Sequence, residues 1–166
     1  MHRRTALVAG ASAALLPFVA AALPAFAQSS PDEYVKLTLE GGLFAMKSSE
    51  LALEKGVEGA VKTFAELEIG EQDAVKAVLT STGVAAPTEL DGEEVELMER
   101  LRGLEGDEFA KAYLDGQVKG HEELLAIQRP MAGMDEITIP VATAKLAEKS
   151  ILTHLEMLKM IQADMG

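Results

Sequence analysis

Apolar residues recur at steps of three and four along most of the chain, the period of an α-helix with one buried face. The first such stripe, Leu39, Leu43, Met46, Leu53 and Val57, predicts helix A over about Asp32–Lys55, with Ser30 or Pro31 near its cap. Gly41-Gly42 lies inside it, which costs helix stability and permits a close helix approach. Gly56 and Gly59 mark a turn. Helix B is expected over about Val57–Ser81, with Val61, Phe64, Ala65, Leu67, Val75, Val78 and Leu79 facing inward and Gly83 closing it. A longer connection follows. Asp91-Gly92-Glu93-Glu94 matches a capping box and opens a short helix, Glu93 to Arg102. Helix C runs from Gly106-Asp107 to about Arg129, stopped by Pro130, with Leu114, Val118, His121 and Leu125 in its stripe. Helix D starts between Asp135 and Pro140 and carries Ala144, Ala147, Ile151, His154, Leu158, Ile161 and Met165.

No alternating strand pattern competes with these elements. The A–B and C–D turns are short and the B–C connection is long. The expected fold is therefore all-α: a ferritin-like four-helix bundle of two hairpins, with the short extra helix in the B–C crossover.

The first 27 residues read differently. Met1-His2-Arg3-Arg4 is basic, Ala6 to Ala22 is apolar and uncharged, and Ala25-Phe26-Ala27 ends the stretch with small residues. That layout predicts a cleavable signal peptide over 1–27 and a single helical domain over 28–166. Pro17 interrupts the apolar stretch, which is too short for a comfortable membrane span. A periplasmic or secreted protein is expected, with no stable membrane span after cleavage. Arg3-Arg4 also permits a twin-arginine route.

Charge and composition narrow the partners. The net charge is −12. The leader holds two arginines and no acid, so the mature chain is more acidic still. Long-range repulsion opposes nucleic acid and anionic lipid, leaving an envelope protein as the kind of partner expected. Cysteine and tryptophan are absent, so neither disulfides nor thiolate metal sites can support the fold, which must rest on aliphatic packing.

Polar residues interrupt each stripe. Glu50 lies in helix A, Glu68, Glu71 and Gln72 in helix B, Gln117 and His121 in helix C, and His154 in helix D. Bundles build metal sites from inward carboxylates and histidines, because a cation offsets their desolvation. A di-iron site needs Glu-x-x-His on two helices. Val118 and Ile151 stand three before the histidines instead, which argues against a ferritin-like oxidase. The candidate ligands are His121, His154, Glu50, Glu68 and Gln72, for a single divalent metal. Copper is the other candidate, since Met157 and Met160 follow His154 at soft-ligand spacing and Met131 and Met134 flank the C–D loop. Counting rise along the helices leaves the two histidines nearly two turns out of level. The competing reading is two neutral core histidines, each hydrogen-bonded. No serine or second base is arranged for nucleophilic catalysis, so no enzyme is expected.

One ordered set of segments is familiar: Gly41-Gly42-Leu43, Ser49 to Lys55, Val61 to Ala65, Pro87 to Leu90, Leu101 to Phe109, Tyr113, His121-Glu122 and His154-Leu155. In this it resembles the bacterial domain-of-unknown-function 4142 family, exported proteins with a ferritin-like four-helix fold. The resemblance implies three histidines, one each on helices B, C and D. The second and third match His121 and His154, and the first falls on Gln72. An early acid of helix A falls on Ala45, and a proline before the last histidine falls on Lys149. The role expected is that of a non-enzymatic, stress-related envelope protein, with metal binding as the alternative.

Overall fold

In a computed structural model, which describes residues 30–165, five helices follow one another with no strand among the described residues. The leader expected over 1–27 lies outside the described residues. Helix α1 spans Pro31–Glu54, α2 Gly59–Thr80, α3 Gly92–Arg102, α4 Gly106–Ala132 and α5 Ile139–Met165. The starts follow local chemistry. Ser30 caps α1 by accepting the Glu33 amide at 3.2 Å, and Pro31 occupies the first turn, where its missing N–H is not needed. Gly56 reverses the chain at φ 73°, in the left-handed region that favours glycine.

Contacts along the helices fix the topology. The start of α1 meets the end of α4 through Tyr34 and Gln128. The end of α1 meets the start of α4, where Lys55 donates to the carbonyls of Arg102 and Leu104 at 3.0 and 2.9 Å and pairs with Glu105. The α1–α4 pair is therefore antiparallel, as are the α1–α2 and α4–α5 hairpins. Helix α2 ends beside the start of α1, whereas α4 begins at the opposite end, so the crossover must travel the length of the bundle. Helix α3 lies on that path and packs on α1 and α4. The all-α bundle with a helix in its crossover is the expected architecture.

Apolar packing fills both ends. One cluster joins Phe44, Phe64, Leu101, Phe109, Tyr113, Leu114 and Leu158. Another joins Tyr34, Val35, Leu39, Leu79, Met131 and Val141. Between them lie a third apolar cluster, Leu124, Leu125, Ile151 and Leu155, and beside it a polar layer.

Three local expectations need correction. Helix α4 passes through Pro130 and ends at Ala132. The proline removes one ladder bond in a turn that is already terminating, while Met131 and Ala132 stay buried in the end cluster. Asp91 is the N-cap of α3 with extended backbone, but no capping-box hydrogen bond forms. On α1 the buried face runs through Gly42, Ala45, Ser48, Ser49 and Ala52, while Met46, Leu53 and Val57 are only half-buried. A small-residue face lets neighbours approach closely: a Cβ on Gly41 would stand 2.8 Å from Leu124.

Burial pushes the Glu94 carboxyl on α3 up to about 7, and Asp91, Glu123 and Glu40 add to the shift against the opposing pull of Lys119. Folded chains then hold a proton that unfolded chains release above the ordinary value of 4.5. Stability should fall as pH rises from about 4.5 through about 7. Glu94→Gln should flatten that slope and raise the denaturation midpoint at pH 8, measured by urea unfolding across the window.

Candidate metal centre

The polar middle layer is built from facing turns of three helices. On α2 the inward positions are Val61, Phe64, Ala65, Glu68, Gln72, Val75 and Leu79, one helical face in steps of three and four. Glu68 is fully buried on that face, whereas its neighbour Leu67 is 56% exposed. Helix α4 supplies His121, also fully buried, and α5 supplies His154, whose side chain is 12% exposed.

Three atoms converge. Glu68 Oε2 lies 3.4 Å from His121 Nε2 and 3.1 Å from His154 Nδ1, and the two ring nitrogens are 3.1 Å apart. Oε2 nevertheless accepts no hydrogen bond. The nitrogens are near enough to donate but are not aimed at it. The two rings are instead aimed at each other, His121 Nε2 and His154 Nδ1 forming a 3.1 Å hydrogen bond. Two imidazoles and a carboxylate bound tetrahedrally at about 2.0–2.1 Å would be separated by about 3.3–3.4 Å. The observed triangle is within a few tenths of an ångström of that.

The outer atoms of Glu68 and His121 are hydrogen-bonded, and that of His154 faces a carboxylate. His121 Nδ1 lies 2.8 Å from the Gln117 carbonyl, an acceptor, so Nδ1 carries the proton and Nε2 turns a lone pair to the centre. His154 Nε2 lies 3.5 Å from Glu71 Oε2, an ion-pair distance without a hydrogen bond, and because His121 Nε2 can only accept, the 3.1 Å bond between the rings is donated by His154 Nδ1–H. Ser150 Oγ holds Glu71 by donating to the same oxygen at 2.7 Å. Gln72 Nε2 donates to Glu68 Oε1 at 2.8 Å, leaving Oε2 free. Metal-binding histidines and carboxylates are oriented by outer partners of this kind. The Phe64 ring, with centroid distances of 5.9 and 5.6 Å to the two imidazoles, walls the centre from below.

Electrostatics follow from the crowding. Burial opposes ionisation of Glu68, but the facing imidazoles and the Gln72 amide outweigh it, and the carboxyl is held well below its usual range. Burial likewise opposes a charged His154, yet the carboxylates of Glu68 and Glu71 prevail and hold its pKa above the ordinary histidine value.

The five candidate ligands therefore separate. Glu68, His121 and His154 come together as the one three-donor cluster among the described residues. Gln72 stands behind Glu68 rather than in the triangle. Glu50 is exposed on the outer side of α1 and takes no part, because the inward face there belongs to Ser48, Ser49 and Ala52. The methionines are not gathered: Met131 lies in an end cluster and Met160 is 69% exposed. The two histidines are level after all. His121 lies about three turns before the end of α4 at Ala132, and His154 about four turns after the start of α5 at Ile139. Continuation of α4 past Pro130 and the reach of the rings close the remaining turn. Glu71 and Ser150 completed the setting without being candidate ligands. The signal for such partners is a polar pair at i, i+4 on each inward face: Glu68 with Gln72, Gln117 with His121, Ser150 with His154.

A family model described as Domain of unknown function (DUF4142) matches residues 16–161. No curated protein and no solved structure matches the chain.

Gly42 reaches the centre indirectly, since a Cβ there would collide with Gln72 Oε1. Gly42→Ala should lower the denaturation midpoint by disturbing the Gln72–Glu68 bond, a charge-assisted contact worth about 1.5–3 kcal/mol. In a Gln72→Ala background the same change should be neutral or stabilise by up to about 1 kcal/mol, because alanine is the better helix former. Additive losses in that double-mutant cycle would show that the two positions are independent.

Proposed function

We propose that this chain, which belongs to the domain-of-unknown-function 4142 family, is an exported bundle protein that holds a single divalent transition-metal ion at Glu68, His121 and His154. The observation that carries this reading is the buried Oε2 of Glu68, which accepts no hydrogen bond although two imidazole nitrogens crowd it. Burying a carboxylate oxygen without a partner costs several kcal/mol, and a cation between the three donors removes that cost. Two imidazoles and one carboxylate suit zinc and ferrous iron. A softer copper(I) site would want the thioethers, which lie elsewhere.

Export is supported by the basic start, the apolar run and the Ala25-Phe26-Ala27 end. No helix among the described residues is long and apolar enough to cross a membrane. We read the role as retention of the ion rather than turnover of a substrate, in an envelope protein that serves under stress. The support is a single set of three donors, two of which are held by hydrogen bonds to their outer atoms.

Titration of the metal-free protein with Zn²⁺ or Co²⁺ should end at one ion per chain, with a rise in Tm that grows with ion concentration. His121→Ala/His154→Ala and Glu68→Ala should each abolish it. Affinity should weaken as pH falls, because bound metal displaces the proton that His154 retains above the ordinary histidine range. Substoichiometric uptake, or uptake unchanged in the double variant, would sink the reading. For export, mass spectrometry of the protein from a periplasmic extract should give a chain beginning at Gln28.

A further inference from the structure

Helices α2 and α5 leave an open seam between them. It forms a groove of about 450 Å³, within the range of small-molecule sites. Its walls are apolar from both helices: Ala74, Val75 and Val78 on one side, Ile139, Ala142 and Leu146 on the other. Val78 and Leu146 are 47% and 76% exposed, unusual for side chains of their size in so acidic a chain.

One charge lines this groove. Glu71 stands at its inner end, held in place by Ser150, which also lines the groove. The Glu71 side chain is 30% exposed, so it can meet a ligand without leaving its place. An apolar channel ending in a single carboxylate is complementary to a molecule with an aliphatic body and a cationic head. An anionic head would meet Glu71 and the field of a chain with net charge −12. A neutral head would cover the other oxygen of Glu71 without replacing its hydration, since Ser150 and His154 both meet Oε2.

We infer that the α2–α5 groove is a binding site for a small amphiphilic cation, an alkylammonium, whose ammonium group pairs with Glu71 while its chain lies along Val78, Ala142 and Leu146. The inference goes beyond the metal reading and does not require it, because Glu71 lies in the groove whether or not an ion occupies the centre.

The test is calorimetric titration of the chelator-treated protein with octylammonium, octanoate and octanol, all below their aggregation concentrations. Octylammonium should bind saturably at one per chain, at least about tenfold more tightly than octanol, as expected for a charge-assisted contact. Octanoate should be weaker still. Glu71→Gln should reduce octylammonium to the octanol level, and Leu146→Ser should weaken both. Leu146 is exposed, and thermal unfolding of the Glu71→Gln variant checks that losing the carboxylate beside His154 leaves the fold intact. Three results would overturn the inference: octanoate or octanol matching octylammonium, Glu71→Gln without effect, or a sedimentation-detected dimer that Leu146→Ser dissolves, which would give the groove to a second copy. Metal stoichiometry is measured on the same protein separately, so loss of the metal reading leaves this result interpretable.

Discussion

The charge of Glu68 is the constraint to which the interior of this bundle answers. A fully buried carboxylate is among the costliest groups a protein can carry inside, and it persists only where other groups compensate its lost hydration. Compensation here comes from two sides. Gln72 donates to one oxygen. Two imidazoles crowd the other without hydrogen-bonding to it. Apolar clusters around the layer raise the cost that these groups must offset. Each compensating group is held in turn, His121 by the Gln117 carbonyl and His154 through Glu71 and Ser150. Removing one member therefore exposes the next to an environment arranged for a full set.

The rest of the polar interior is arranged to keep α4 in register with α1. Gln117 Nε2 reaches the Ala45 carbonyl at 3.1 Å and the Ser48 hydroxyl at 2.9 Å, while the hydroxyls of Ser49 and Tyr113 are 2.8 Å apart. Near the other end, Tyr34 donates to Gln128 Oε1 at 2.6 Å, and Gln128 donates to Thr38 at 3.2 Å. Aliphatic packing alone would tolerate a slip of one turn. These directional bonds would be broken by it, leaving several buried donors unpaired at about 1–3 kcal/mol each. Gln117 belongs to both systems, because its side chain bonds α1 and its carbonyl orients His121. The register of α1 against α4 and the aim of one ring are thus set by the same residue.

The helices were legible because long apolar periods dominate the chain, and the two-hairpin order followed from loop lengths. What misled were residues whose burial contradicts their hydropathy. Leu67 and Val78 belong to the apolar pattern of α2 yet face outward, while Glu68 completes the inward face begun by Val61, Phe64 and Ala65. On α1 the face was drawn through Met46 and Leu53, which put Glu50 beside it. Leu39 and Leu43 are buried as expected, but beyond them the buried face continues through Ala45, Ser48, Ser49 and Ala52. Hydropathy cannot rank a buried serine above a half-buried methionine; only the hydrogen bonds of the neighbouring helix do that. Of the candidate centre, both histidines and Glu68 were legible as polar interruptions of apolar stripes. Their meeting was not, since it depends on α4 continuing through a proline that usually ends a helix.

Glu71 connects the centre to the outside. The same oxygen that lies 3.5 Å from His154 Nε2 accepts the Ser150 hydroxyl, and the carboxylate also lines the α2–α5 groove. A cation settling in the groove would compete with His154 for that carboxylate. Weakening an outer partner of a metal-binding histidine typically costs about 10–100-fold in metal affinity. Linkage then requires the reverse: an ion at the centre, which sharpens the demand of His154 Nε2–H for Glu71, must loosen the cation in the groove by the same factor. No movement of helices is needed for this coupling. It follows from one carboxylate being shared between a buried donor and an open surface.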